Sequence, residues 1–354
     1  MSAYDGRDRT SGILATVAGL AAAWIAFDLL VWSYGESPRE LFMLLVQGTW
    51  GSAYGAGQVL FKATPLLFTG IAIDLALRAG LFNIGAEGQL TMASLAVGAT
   101  AAMLPATLPA FAAIPLVLLV AVLAGGAWAV VPAILKTRFG AHEVISTIMM
   151  NRIADAGVGL ALGLGLAVKG TVRTRDAIAG ARLPRLDVVV HALRGSAVSV
   201  ALLLAVVLAF LASWAHGGTR LGREIGHVGM NPVACTAEHI PVRRRILQAM
   251  VFSGAIAGLA STATVLGYKG YFEQGLGAGA GFGGLAVALL GRGSAVGLVL
   301  AALLFGTLQQ GGLAINAHVP MEVMDVLQGI VIASVALADA RVRAALAGVV
   351  RKSA

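Results

Sequence analysis

Long apolar stretches separated by short charged ones dominate this chain. No Asp, Glu, Lys or Arg occurs in the 48 residues between Glu87 and Lys136, or in the 29 residues between Arg292 and Glu322. A helix crosses the hydrocarbon core of a bilayer with about 20 predominantly apolar residues. These stretches therefore predict membrane-spanning helices, and the longer stretch has room for two.

The apolar runs predict ten such helices in all. The segment 41–61 does not count as a span, because its polar side chains and four glycines predict a half-buried or interfacial segment. Ten crossings place both termini on the same side of the membrane. The runs cover residues 12–34, 63–79, 80–104, 112–135, 143–168, 196–215, 246–267, 282–291, 295–315 and 323–338.

Glycine adds a second pattern. The chain has 46 glycines, and several recur inside apolar runs at the small-xxx-small spacing that lets two helices approach closely. Gly254 with Gly258 is one such set, and Gly159 with Gly163 and Gly165 is another. We expect both sets to lie where helices touch.

Composition and charge agree with a membrane protein. Of the 354 residues, 58% are hydrophobic and 12% are charged, against roughly 25% charged in soluble domains. The net charge of +8 does not indicate nucleic-acid binding, because intervening membrane helices prevent the basic residues from forming one stripe. The single cysteine, Cys235, excludes an internal disulfide. The expected fold is an all-α, polytopic integral membrane helix bundle of about ten transmembrane helices, built as one domain over residues 1–354.

The positions of Lys and Arg predict the orientation of the bundle. With the N-terminus in the cytoplasm, 15 of these residues lie in cytoplasmic segments and nine lie outside. This orientation places residues 1–11, 216–245 and 339–354 in the cytoplasm and the loop 169–195 outside.

Charged and polar residues inside the apolar runs are costly in lipid, so they usually turn toward the interior. Arg152 and Asp155 are three residues apart on one helix and can form a salt bridge. In segment 80–89, three glycines alternate with Asn83, Glu87 and Gln89. Such a segment predicts a broken helix whose backbone lines a cavity or contacts protein, and both a functional and a packing role remain open.

A hydrophilic stretch, residues 216–245, separates two of the predicted spans. Its Asn231-Pro232 pair can begin a short helix, since an Asn cap followed by proline at the first helical position is favourable. A short helix outside the bilayer is suited to docking a soluble partner. The alternative is a solvated loop with no partner.

The sequence predicts no catalytic residue, metal site or cofactor in this chain. It lacks the G-x-x-x-x-G-K-[ST] phosphate loop and any Cys/His cluster with zinc spacing. Gly279, Gly281 and Gly284 spell G-x-G-x-x-G, but no acidic residue follows before Glu322 to hold a ribose, and no βαβ context is present. This glycine-rich segment instead predicts a flexible or broken helix.

Four sequence blocks, at 79–89, 143–151, 229–234 and 281–292, resemble the membrane subunits of ABC importers in the branched-chain amino acid, ribose and nucleoside permease family. The similarity is strongest to the nucleoside (guanosine-type) and simple-sugar branch. The resemblance implies a multi-pass protein of a bacterial plasma (inner) membrane with broken helices near the substrate path. It also implies pairing with a second, homologous permease as a heterodimer, docking of ABC ATPase subunits that hold ATP and Mg, and delivery of substrate by an extracellular or periplasmic binding protein.

The resemblance also implies residue roles. The expected substrate pathway is lined by Asn83, Glu87, Gln89, Asn151 and Phe282. The family's coupling segment corresponds to residues 224–240, and the residues expected near the ATPase are Glu224, Gly229, Asn231, Pro232 and Ala234. This chain departs from the family at Glu238-His239, where Ala-Gly is usual, so the turn geometry there is open.

Three functions remain open at this point. The first is ATP-driven import of nucleosides through an ABC permease, and the second is the same role for simple sugars or branched-chain amino acids. The third is an ion-coupled secondary transporter in which Asp28, Asp74 or Asp155 relays a proton or Na⁺.

Overall fold

The computed structural model describes residues 17, 19, 21–320 and 322–334. Within these ranges the regular structure is helical and strands are lacking, apart from three isolated β-bridges. The predicted cytoplasmic termini, residues 1–11 and 339–354, lie outside the described residues.

Thirteen α-helices follow one another along the described chain. The first six are α1 (Ala21–Ser33), α2 (Pro38–Thr49), α3 (Ala53–Arg78), α4 (Ala86–Met103), α5 (Ala110–Phe139) and α6 (Glu143–Ala161). The next seven are α7 (Ala201–Gly218), α8 (Arg220–Met230), α9 (Pro232–Ala237), α10 (Val242–Leu259), α11 (Ala280–Gly291), α12 (Ala295–Ile315) and α13 (322–334). Two π-helical segments, Leu162–Leu166 and Thr262–Lys269, extend α6 and α10.

Five of these helices are long and apolar enough to cross a membrane: α3, α5, α7, α10 with its π-helical extension, and α12. Two shorter apolar helices, α1 and α11, accompany them. The protein is therefore a polytopic helical membrane bundle, as the apolar runs predict.

The prediction that residues 41–61 form one half-buried or interfacial segment is wrong. The structure ends α2 at Thr49 and begins α3 at Ala53, so the segment contains a tight turn and the first turns of a long helix. The amide of Gly51 donates to the Val46 carbonyl oxygen at 2.8 Å, which closes the end of α2. The polar residues that suggested an interfacial segment lie around this turn, where they bond to the ends of the two helices. Oγ1 of Thr49 donates to the Leu45 carbonyl oxygen at 2.7 Å, and Oγ of Ser52 accepts from the Gly55 amide at 3.0 Å.

The described chain forms two compact units. One contains the described residues up to Gly55 and from Thr307 onward, and the other spans Ala56–Gly306. The first has its own apolar core, which includes Phe27, Leu41 and Ile315.

Helices α4, α5 and α10 pack together in the centre of the second unit. Gly254 and Gly258 lie against α5, where an added Cβ would overlap the carbonyl oxygens of Gly125 and Ala121. The predicted close packing is confirmed at this pair. It is wrong for Gly159, Gly163 and Gly165, which face open space within the described chain, because that end of α6 lies at the surface of the bundle.

Candidate functional site

The segment 80–89 is broken, as its glycines predict. Helix α3 ends at Arg78, Gly80 turns the chain with φ +70°, and α4 begins only at Ala86. A Cβ on Gly80 would lie 3.3 Å from the backbone of Gly229 at the end of α8. The turn therefore needs glycine both for its left-handed conformation and for the close approach of α8.

A buried amide network holds this broken segment. Nδ2 of Asn83 donates to Oε1 of Gln89 at 3.0 Å and to Oγ of Ser253 at 2.8 Å, and Nε2 of Gln89 donates to Oδ1 of Asn83 at 3.2 Å. Ser253 in turn donates to the Ala72 carbonyl oxygen at 2.6 Å. The network joins α3, α4 and α10, so both amide side chains stabilise the break between helices.

Asn151 joins α6 to the broken segment 80–89 through two hydrogen bonds. Its Oδ1 accepts a hydrogen bond from the Gly88 amide at 2.9 Å, and its Nδ2 donates to the Ile84 carbonyl oxygen at 3.0 Å. Both backbone groups lie where the helix is interrupted and need a partner. Asn151 therefore supplies hydrogen bonds that the missing helical turn would have made.

Glu87 connects two helix N-termini. It lies in the first turn of α4, and its carboxylate oxygens accept hydrogen bonds from the amides of Gly279 and Gly281, each at 2.7 Å, at the start of α11. A Cβ on Gly281 would overlap the backbone nitrogen of Glu87. Because helix N-termini carry partial positive charge, one carboxylate stabilises the starts of both helices.

The structure thus joins four of the five predicted pathway residues, Asn83, Glu87, Gln89 and Asn151, through one segment. Their polar groups bond to protein groups of this chain. Phe282 follows Gly281 in α11 and leaves 52% of its surface exposed.

A small cavity of about 50 Å³ lies beside Glu87. Thr91, Asp155 and Gln274 contribute its other polar side chains. The position of Asp155, four residues after Asn151 on α6, could have indicated this cavity from sequence. Gln274 had no such signal, because it reaches the cavity from a loop.

The expected ion pair on α6 is confirmed. Nη1 of Arg152 lies 3.7 Å from Oδ2 of Asp155, and the two side chains are 85% and 58% exposed. Met149, one turn earlier, is also exposed. Arg152 and Met149 therefore lie on the outer face of α6, and Asp155 lies between that face and the cavity beside Glu87.

The hydrophilic stretch folds into α8 and α9 rather than a loop. Oδ1 of Asn231 accepts hydrogen bonds from the amides of Val233 and Ala234, at 3.1 and 3.0 Å, and Pro232 occupies the first helical position. The predicted Asn-Pro helix start is confirmed. Sequence reasoning missed α8, which Thr219 caps by accepting from the Gly222 amide at 3.0 Å, although the spacing of its buried Ile225 and Val228 is helical.

Glu224 faces α10 rather than solvent. Its oxygens accept hydrogen bonds from Nε of Arg220 and from Nε of Arg245, both at 2.6 Å, and the residue is 6% exposed. These hydrogen bonds, the one from Arg220 first, lower the pKa of the Glu224 carboxyl. Glu224 therefore stays ionised and fastens α8 to the beginning of α10.

The junction of α8 and α9 exposes apolar surface. Met230 and Val233 are 77% and 78% exposed, whereas Cys235 is buried. His239 after α9 adopts φ +60°, a left-handed conformation that favours glycine. The turn at Glu238-His239, where Ala-Gly is usual in the family, therefore keeps the backbone geometry that the usual glycine would allow.

The spans, the hydrogen-bonded break and the helix pair α8–α9 define a multi-pass helical membrane protein. Its described residues contain no group of side chains suited to hold a metal ion. The chain belongs to the family described as branched-chain amino acid transport system / permease component, whose profile matches residues 55–336.

Individual relatives share most of their length with this chain. The guanosine ABC transporter permease protein NupP of Bacillus subtilis is 39% identical over 92% of both chains. A glucose ABC transporter permease protein of Haloferax volcanii is 34% identical over 90% of this chain and 85% of its own. The nucleoside ABC transporter permease protein NupB of Lactococcus lactis is 28% identical over 93% of this chain and 92% of its own. No solved structure matches.

Proposed function

We propose that this chain is the permease subunit of an ATP-driven ABC importer that translocates nucleosides. The observation that supports the substrate class is the 39% identity to a guanosine permease over 92% of both chains. Simple sugars are the second candidate, because a glucose permease is 34% identical.

A second permease would complete the passage. The relatives come in pairs from one organism: NupP with NupQ in Bacillus subtilis, and NupB with NupC in Lactococcus lactis. In this chain, the side chains of the Arg152–Asp155 pair on α6 are largely exposed. Charges in a membrane helix are costly against lipid, so this face would meet the second permease or a water-filled path between the two.

The passage would run along α6 and the start of α11. In this proposal Asn83, Gln89 and Asn151 fix the passage wall through the hydrogen bonds that consume their polar groups. Glu87 keeps the two helix starts together, and the exposed ring of Phe282 would stack on a base.

The ABC ATPase would dock on α8 and α9 and would hold ATP and Mg, with no cofactor in this chain. Exposed Met230 and Val233 give the apolar surface for docking. The end of α8 lies against the turn that leads to Glu87, because a Cβ on Gly229 would overlap the carbonyl oxygen of Arg78. A push on α8 would therefore reach the broken segment directly.

The chain would reside in a bacterial plasma membrane with both termini and α8–α9 in the cytoplasm. The loop 169–195 would then face the extracellular or periplasmic binding protein that delivers substrate. The balance of Lys and Arg supports this orientation.

Uptake of labelled guanosine and labelled glucose by cells without this chain tests the proposal. We expect guanosine uptake to disappear, glucose uptake to persist, and the complete chain to restore the loss. Unchanged guanosine uptake would remove the nucleoside assignment, and loss of glucose uptake alone would support the sugar permease. Uptake that survives deletion of the ATPase and collapses with an uncoupler would instead indicate an ion-coupled transporter.

A further inference from the structure

A cavity of about 380 Å³ lies between α7 and the helices α3, α5 and α10, apart from the proposed passage. Its walls are apolar side chains of α3, α5, α7 and α10, among them Val122, Leu208, Phe252 and Leu259. The volume falls in the range of ordinary ligand sites, roughly 300–1,000 Å³. An apolar space of this size between membrane helices is suited to a hydrocarbon chain.

Helix α7 leaves this space along its second half, because its buried residues, Ala201, Ala205 and Ala209, lie in the first half. Only 17% of its span is buried, against 72% for α10. Before its first turn, Ser199 lies against Gly267, and after its last turn the chain enters α8, whose Gly222 lies against the Ala215 carbonyl oxygen. The cavity is therefore lined by the second half of α7, from Leu208 onward.

The cavity has the length of one leaflet. It follows α7 from Leu208 to Thr219, and eleven residues of helix extend about 16 Å at 1.5 Å per residue. Half of a hydrocarbon core of roughly 30 Å is about 15 Å. The cavity thus matches an acyl chain that starts at the membrane surface and ends at the bilayer centre.

One end of the cavity is polar. Asp74, Arg78, His216 and Thr219 line it, and Nδ1 of His216 is buried without a hydrogen-bond partner. Arg78 pairs with Asp74 at 2.8 Å. An occupant that combines an apolar chain with hydrogen-bonding groups would satisfy both the walls and this end.

The rim at the polar end carries excess positive charge. Glu224 is shared by Arg220 and Arg245, and Asp74 balances Arg78. Arg223 adds a further charge beside the cavity, where its Nη1 donates to the Gly217 carbonyl oxygen at 2.9 Å. The N-terminus of α8 begins at the same place, at Thr219, and adds partial positive charge.

We propose that this cavity binds one membrane phospholipid with an anionic headgroup. One acyl chain occupies the space beneath α7, and the headgroup phosphate lies at the rim formed by His216, Arg223 and the start of α8. The bound lipid fills the gap that α7 leaves and ties the membrane to the beginning of the helix pair α8–α9.

Native mass spectrometry of the complete chain, purified with its associated subunits in mild detergent, tests this site. The probes are phosphatidylglycerol and phosphatidylcholine with identical acyl chains. We expect one tightly bound phosphatidylglycerol and at least about tenfold weaker phosphatidylcholine. Both lipids carry the phosphate, but only phosphatidylcholine adds a trimethylammonium cation, which the positive rim repels.

Two variants and one control locate the lipid. Ala212→Phe fills the cavity and should remove the bound phosphatidylglycerol, whereas Leu203→Phe, on the exposed face of the same helix, should leave it in place. Arg223→Gln, at an exposed position that does not disturb packing, should weaken phosphatidylglycerol more than phosphatidylcholine and so reduce the preference between the two lipids. Equal affinities for the two lipids, or a bound lipid unaffected by both variants, would overturn the proposal. The proposal would also be overturned if the cavity held a protein chain instead of a lipid, that is, if Ala212→Phe removed a bound protein from the purified complex.

Discussion

The Glu87 carboxylate is one side chain that meets the positive ends of two helices. It accepts the amides of Gly279 and Gly281 while lying in the first turn of α4. A neutral amide in its place would offer one acceptor oxygen and would turn an NH₂ group toward a backbone N–H. Charge-assisted hydrogen bonds of this kind contribute about 1.5–3 kcal/mol each.

We therefore expect Glu87→Gln to lower the free energy of unfolding by about 2 kcal/mol and to reduce substrate uptake. Thermal unfolding of the purified protein in detergent measures the first effect. Glu238→Gln, at an exposed carboxylate after α9, is the matched control and should unfold like the unchanged chain. A Glu87→Gln protein with unchanged unfolding would show that the bonds to α11 do not hold the junction.

Glu224 makes a pH-dependent link between α8 and α10. Its pKa is lowered by the arginines that hold it, so the ionised form stabilises the folded state. This contribution is complete above the ordinary carboxyl pKa of 4.5 and is lost as the pH falls through the lower value in the folded protein.

The pH dependence of unfolding checks this link. The unchanged protein should be more stable than Glu224→Gln at about pH 7, and the difference should shrink as the pH is lowered past about 4. A difference that stays constant with pH would mean that the carboxylate charge is not what fastens α8.

At the scale of elements, Gly229 carries the contact between α8 and the turn after α3. A side chain there would overlap the backbone of Arg78 and Gly80, and overpacking of this kind costs about 1–3 kcal/mol. We expect Gly229→Val to reduce uptake strongly while the ATPase still co-purifies, because the docking surface at Met230 and Val233 remains. Gly217→Ala is the control, since no atom lies near its added Cβ. Normal uptake by Gly229→Val would exclude this contact as the route from α8 to the broken segment.

The start of α9 depends on one cap. Asn231→Ala removes the acceptor of two backbone amides and should destabilise α9 by about 1 kcal/mol, enough to disorder a helix of six residues. The fraction of ATPase that co-purifies should fall, whereas Asn231→Asp, which keeps the acceptor, should preserve it. Equal ATPase recovery from both variants would argue against docking on α9.

At the scale of the whole molecule, spacing of charges predicts the bundle because lipid excludes charge from spans. Helix α12 begins and ends at the predicted residues 295 and 315. The break at 80–89 was also predictable, since local glycines cause it. The partners of that break were not: Ser253 lies 170 residues from Asn83, and Gly281 lies 194 residues from Glu87. Such pairs depend on how distant helices pack, which local sequence does not encode.

The Arg152–Asp155 pair on α6 provides a test of whether a second permease completes the passage of this chain. If Arg152 and Asp155 face lipid, replacing both with leucine should stabilise the chain, since a charged side chain at the membrane centre costs about 2.5–3.5 kcal/mol. If they face a second permease or a watery path, the same change removes groups that the neighbouring surface requires. We expect the Arg152→Leu, Asp155→Leu protein to lose the second permease on purification and to lose uptake. Val207→Leu, on the exposed face of α7, should change neither. A double variant that keeps its partner and transports normally would place α6 against lipid and move the subunit interface to another face.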